Sequence, residues 1–154
     1  MHPNVQLVAQ ALAAAGAGGQ VRELADAVRT AQDAAAALGC SPAAIANSLI
    51  FMADEQPVLI LTSGGHKVDT AHVAGLLGVD RLRRATPEQV RAATGQPIGG
   101  VAPVGHPSPV RTLVDVALQP FPVIWAAGGT PHTVFPTTYA ELLTITGGTP
   151  VAVV

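Results

Sequence analysis

The sequence is poor in three things: cysteine, of which Cys40 is the only one in 154 residues, aromatic side chains, at 3%, and charge, at 12%. A single cysteine excludes an internal disulfide framework and a cysteine-based zinc site, and it fits a reducing compartment. Phe51, Phe121, Trp125, Phe135 and Tyr139 are too few for the stacking platforms with which RRM and OB folds read single strands. The charged fraction is about half the ~25% of an average soluble chain, and hydrophobic residues reach 49%, which excludes a disordered tail or an acidic linker. No apolar run approaches the ~20 residues that cross a bilayer, and Met1-His2-Pro3-Asn4 lacks the basic start of a signal peptide. A cytoplasmic location and no membrane partner are therefore expected.

What remains is an aliphatic chain of single-domain size, so residues 1–154 are read as one domain with a core of Ala, Val, Leu and Ile. Val5, Val8, Leu12 and Ala15 recur at helical spacing before the Gly16-Ala17-Gly18-Gly19 breaker, and a short strand is expected over 20–25. Thr30 with Asp33 starts a second helix that ends at Leu38-Gly39. Ile45–Ala53 and Pro57–Thr62 read as a hairpin around Asp54-Glu55-Gln56. Further helices are expected after Asp69 or Thr70, from Thr86-Pro87 to about Thr94, and over Tyr139–Thr144. Leu113–Leu118 is a strand or a helical turn, Pro120–Ala127 ends in a buried strand, and Val151–Val154 closes the chain as a strand. Residues 95–110 carry four glycines and four prolines and are read as a long shaped loop, with a second loop after Gly128-Gly129. The fold class is α+β, or mixed α/β, around one mixed sheet.

The net charge of −2 hides its distribution. Residues 1–66 balance to −3, whereas Lys67, Arg81, Arg83, Arg84, Arg91 and Arg111 against Asp69, Asp80 and Glu88 give +3 over residues 67–111. That middle third could face phosphates, with Arg81, Arg83, Arg84 and Arg91 as the candidates, or form an ordinary solvated face. The two glycine-rich stretches, Gly99 to His106 and Gly128 to His132, are the more unusual features. Glycine lets a ligand approach backbone N–H groups, which can hold a developing oxyanion. The Ser63-Gly64-Gly65-His66-Lys67 turn lacks the spacing of a phosphate loop and reads as an exposed turn compatible with a weak phosphate contact. The five histidines show no metal spacing, so no metal is expected. His106, Ser108 and Asp115 have the residue types of a catalytic triad without a nucleophile elbow, and Cys40 is read as a small structural residue.

The order of these features resembles the YbaK/EbsC family, the prolyl-tRNA-synthetase-associated editing domains. The resemblance runs from about residue 3 to 153. It is carried by Thr30 with Asp33, Ala46-Asn47-Ser48-Leu49-Ile50-Phe51, Thr94-Gly95-Gln96-Pro97-Ile98-Gly99-Gly100-Val101-Ala102-Pro103-Val104-Gly105-His106, and Ala127-Gly128-Gly129-Thr130-Pro131-His132. The third stretch is the most specific because the Gly-x-x-x-Pro spacing falls within it, from Gly99 to Pro103. The resemblance implies a barrel-like mixed sheet surrounded by helices and hydrolysis of wrongly charged aminoacyl-tRNA without cofactor. Its partner would be a tRNA acceptor end, with an aminoacyl-tRNA synthetase as a second candidate.

It further implies catalytic roles for Asn47, Gly100 and Val101, the last two as backbone donors. Thr30, Gly99, Pro103, Gly105, His106, Gly128, Gly129 and His132 would bind substrate. An aminoacyl ester is already activated, so positioned water, oxyanion donors and the neighbouring ribose hydroxyl suffice for hydrolysis. Two departures stand out: many members have lysine where this chain has Asn47, and some have an acid near Val134. An amide cannot supply the lysine's positive charge. The rival expectation is therefore a non-catalytic module that binds aminoacyl-tRNA 3′ ends or a related small ligand.

Overall fold

A computed structural model describes residues 2–154. Five helices surround an eight-stranded mixed sheet. In chain order these are α1 (Pro3–Ala14), β1 (Arg22–Glu23), α2 (Ala31–Leu38), β2 (Ile45–Ala53), β3 (Gln56–Ser63), α3 (Thr70–Leu77), β4 (Leu82–Arg84), α4 (Pro87–Thr94), β5 (Arg111–Asp115), β6 (Ile124–Ala127), β7 (Thr133–Thr137), α5 (Tyr139–Thr146) and β8 (Thr149–Val151). The helix ends follow their sequence signals. Thr30, Asp69, Thr86 and Thr138 each accept a backbone N–H in the first turn, Gln89 completes a capping box on Thr86, and Gly39, Gly78, Gly95 and Gly147 stop the helices in the left-handed conformation.

The strands lie in the order β1-β7-β6-β2-β3-β5-β8, with β4 pairing β2 off this path. The long β2/β3 hairpin is antiparallel, and β3/β5, β5/β8 and β2/β6 are parallel. Alternation along β2 sends Ala46, Ile50 and Met52 into one core with α1, α4 and α5, and Phe51 and Ala53 into a second under α3. Ile45 joins the alanines of α2 in a third cluster.

The sheet is not closed, which corrects the barrel-like arrangement the resemblance implies. β1 and β8 end the path without pairing to each other, because β2 takes both β6 and β4 on one edge and the sheet branches there. Two strands also escaped the sequence pattern. β4 has only three residues, too few to show a period. β7 contains Pro136, a residue that argues against a central strand. The Thr133 carbonyl accepts from Gly128 N–H on the β6 side, so alternation turns position 136 the other way, where β1 pairs only with Thr133 and Val134. No ladder partner is lost there. Residues 111–118 resolve the strand-or-turn ambiguity as both, β5 followed by a 3-10 turn over Val116–Leu118.

Candidate functional site

The branch in the sheet leaves a gap. On the edge of β2 away from β3, β6 reaches only Ile45 and Ala46, and β4 only residues 51–53, with Ala85 N–H donating to the Ile50 carbonyl. Strand alternation points the N–H and C=O of Ser48 to that same edge, between the two partners. Its hydroxyl is buried without a hydrogen-bond partner among the described residues. Ser48 thus turns its backbone N–H and C=O to the gap and lines the cavities beside it; its hydroxyl and that of Thr62 are the two buried side-chain polar groups without a partner among the described residues.

Two adjoining cavities meet along this edge. One is a recess of about 50 Å³ whose walls are mainly apolar, among them Ala31, Ala34, Ile45, Ala46, Trp125 and Val134. The other is a polar chamber of about 440 Å³ that includes Arg29, His66, Lys67 and Arg84, with no carboxylate in its lining. Arg29, Thr30, Ala31, Asn47, Ser48, Gly99 and Val101 line both. Arg84 lies over the Phe51 ring at 5.6 Å and Arg22 over Trp125 at 5.0 Å, so aromatic faces orient two cations, Arg84 of the chamber wall among them.

The loop over 95–110 is held from inside by Gln96, 1% exposed. Its carboxamide accepts Ala102 N–H at 2.7 Å and donates to the Val104 carbonyl at 3.3 Å. This brings Gly99 and Val101 to the groove. Gly99 has φ +87°, and a Cβ there would sit 3.3 Å from Arg29 Cγ. Gly100 faces away: a Cβ would come within 2.7 Å of the Thr130 backbone, so this glycine lets the two glycine-rich loops touch. The Gly100 N–H already donates to the Pro97 carbonyl. Of the two expected backbone donors, Val101 is the one at the cavity wall and without a partner among the described residues.

The other expected residues fall into two groups. Asn47, Thr30, Gly99, Val101 and Arg84 line the groove. Gly128, Gly129 and Gly105 pack against Val21, Asn4 and Val8, and His132 is exposed outside the lining. Pro103 and His106 face a separate cavity beside Ala11 and Ile145. His106 bonds the Ala102 carbonyl at 2.8 Å, and burial lowers its pKa although that bond raises it. Arg81 and Arg91 are exposed outside the groove, and Arg83 donates to Gln89. The triad types do not assemble, because Asp115 meets His66 and not His106. Pattern reading gave no site role to Arg29, Ser48 or Trp125, and took His66 and Lys67 for an exposed turn with at most a weak phosphate contact. A serine beside Asn47 and a cation before the Thr30 cap were the available signals. No cluster of three metal-ligating side chains exists among the described residues.

An open mixed sheet with a gapped strand edge, an apolar recess and a cation-lined chamber is an α/β fold with a candidate ligand groove. The aminoacyl-tRNA editing domain family matches residues 25–145, most of the chain, and the protein belongs to that family. It is 39% identical over 90 residues to a proline–tRNA ligase of Nitratidesulfovibrio vulgaris strain DP4, covering 58% of this chain and 16% of that protein. A Bacillus licheniformis proline–tRNA ligase is 32% identical over 120 residues, 75% of this chain and 21% of the relative. The chain thus spans about a fifth or less of these relatives' length. A crystal structure of a candidate trans-editing enzyme for prolyl-tRNA synthetase superposes with a TM-score of 0.90 at 41% identity, covering 99% of this chain and 97% of the other. No helix among the described residues is long and apolar enough to cross a membrane.

Proposed function

We propose that this protein hydrolyses the ester of mischarged aminoacyl-tRNA in trans, acting on amino acids with small side chains. The observation that carries this reading is the open edge at Ser48. Its N–H and C=O, which neither β6 nor β4 reaches, and its hydroxyl stand where a small apolar recess meets a cationic chamber, matching an aminoacyl ester with a short side chain on one side and nucleic-acid phosphates on the other. A recess of about 50 Å³ has room for a few water-sized groups, enough for a side chain of one or two heavy atoms.

In this reading Val101 N–H holds the oxyanion, and Ser48 and Asn47 hydrogen-bond the ester and the terminal ribose. The neighbouring ribose hydroxyl assists the attack of water. Arg29, Lys67 and Arg84 hold the terminal phosphates. A neutral Asn47 in the groove is the one feature that favours the rival, a module that binds without hydrolysis.

A panel of tRNAs mischarged with amino acids of increasing size separates the two. Deacylation that falls off as the side chain outgrows the recess is expected. Measurable binding with no deacylation of any tRNA overturns the enzymatic reading.

A further inference from the structure

We propose that His66, oriented by the buried carboxylate of Asp115, is the acid–base residue of this groove; the inference rests on the hydrolytic reading above. Asp115 is 1% exposed and each of its oxygens is engaged. Oδ1 accepts Ala117 N–H at 2.9 Å, and Oδ2 accepts Ser63 N–H at 3.0 Å and meets His66 Nδ1 at 3.0 Å. An ionised carboxylate only accepts, so Nδ1 carries the hydrogen and the neutral ring presents Nε2 as a lone-pair acceptor. Nε2 has no hydrogen-bond partner among the described residues. The ring is one-third exposed and lines the same chamber as Asn47, Ser48 and Val101.

Two other histidines show what a tying role looks like: His72 and His106 both spend Nε2 on a backbone carbonyl, of Ala152 and Ala102. His66 is turned the other way round. Elimination points to the same residue. The chamber lining holds no acid, and besides Arg29, Lys67 and Arg84 its one ionisable side chain is the imidazole of His66, the type suited to take up and return a proton. It supplies proton transfer where Asn47 cannot.

The step balances. As the water oxygen bonds to the ester carbonyl carbon, the water's proton moves to Nε2 and the electron pair goes to the oxyanion. Collapse re-forms the carbonyl and breaks the bond to the ribose oxygen, which receives the proton back from Nε2. The products are a free amino acid and a ribose hydroxyl, and the imidazole ends as it began. Asp115 orients the ring through its bond to Nδ1.

The charged groups around the ring are Asp115 at the end of β5, Lys67 next in sequence, Arg29 before α2 and Arg84 on β4. Tyr139 on α5 is within reach of the Asp115 charge. Burial first, and then the Asp115 charge, raise its phenol, so it stays neutral through the range concerned.

The test is single-turnover deacylation of a mischarged tRNA across about pH 5 to 8, where an imidazole changes charge. The wild-type rate should climb with pH over that range. His66→Ala and His66→Gln, at a partly exposed position, should lower the single-turnover rate constant by about 100-fold or more with tRNA affinity nearly unchanged and flatten the climb. A structural role would leave the climb in place. An active wild type with variants within about twofold of it, or with the pH dependence retained, overturns the role of His66 and leaves deacylation standing. A folded wild type silent on every tRNA overturns both.

Discussion

His106 shows how a residue can look functional in sequence and be structural in the fold. It ends a glycine-rich loop in the manner of a site residue, yet its Nε2 is bonded to the Ala102 carbonyl four residues back, sealing the turn that Gln96 holds from inside. Burial lowers its pKa below the ordinary 6.5, with the Ala102 bond acting in the opposite direction. The unfolded chain therefore takes up the proton more readily than the folded one. The stability that neutral His106 contributes is fully present above pH 6.5 and is lost as pH falls through the lowered native value. Urea unfolding from about pH 7 down to about pH 5 should show a steeper loss for wild type than for His106→Gln. Equal pH dependence of the two would remove this account of the residue.

At the scale of elements, α2 has the clearest division of labour. Its Thr30 cap and Gly39 stop were legible in sequence because each end is set by a local hydrogen bond or a left-handed φ, and no distant residue is needed to recognise them. What its alanine face packs on was only partly legible: Ile45 comes from the strand that follows the helix, but Trp125 arrives from β6, far along the chain. The same reason hid β4, which exists through its pairing with β2, and β7, whose proline is tolerated because β1 stops short of it.

The small face of α2 sets the recess, with Ala31 and Ala34 in its wall. Ala34→Leu adds three carbon atoms beside about 50 Å³ of free space, so the helix should keep its place and the recess should be filled. The expected result is a thermal midpoint close to wild type, with kcat/KM on a tRNA bearing a small amino acid reduced about tenfold or more, as each lost methylene-sized space is worth ~1–3 kcal/mol of discrimination. Retained activity in a folded Ala34→Leu protein would show that the side chain binds elsewhere.

Over the whole molecule, the charge asymmetry read from sequence survives, but the fold divides it. The +3 of residues 67–111 was visible as a sum, whereas its geometry depends on which cations the β2 edge collects. Arg84 and Lys67 join Arg29, from the net-negative first segment, at the chamber wall. Arg81 and Arg91 stay outside it, and Arg83 leans on Gln89 of α4. The flank of β4 and α4 therefore continues the cationic surface outward from Arg84, and a tRNA would meet it in two stages: terminal phosphates in the chamber, then the acceptor arm along the flank. Two ligands separate these stages, a short 3′-terminal fragment and a whole tRNA. Replacing Arg84 or Lys67 by Ala should lower the salt dependence for both, by about 0.7 to 0.9 in the slope of log K against log salt for each phosphate contact removed. Arg91→Ala should lower it for whole tRNA alone. If Arg91→Ala weakens the fragment as much as the tRNA, or Arg84→Ala weakens neither, the two-stage path is wrong and the phosphates lie elsewhere on the surface.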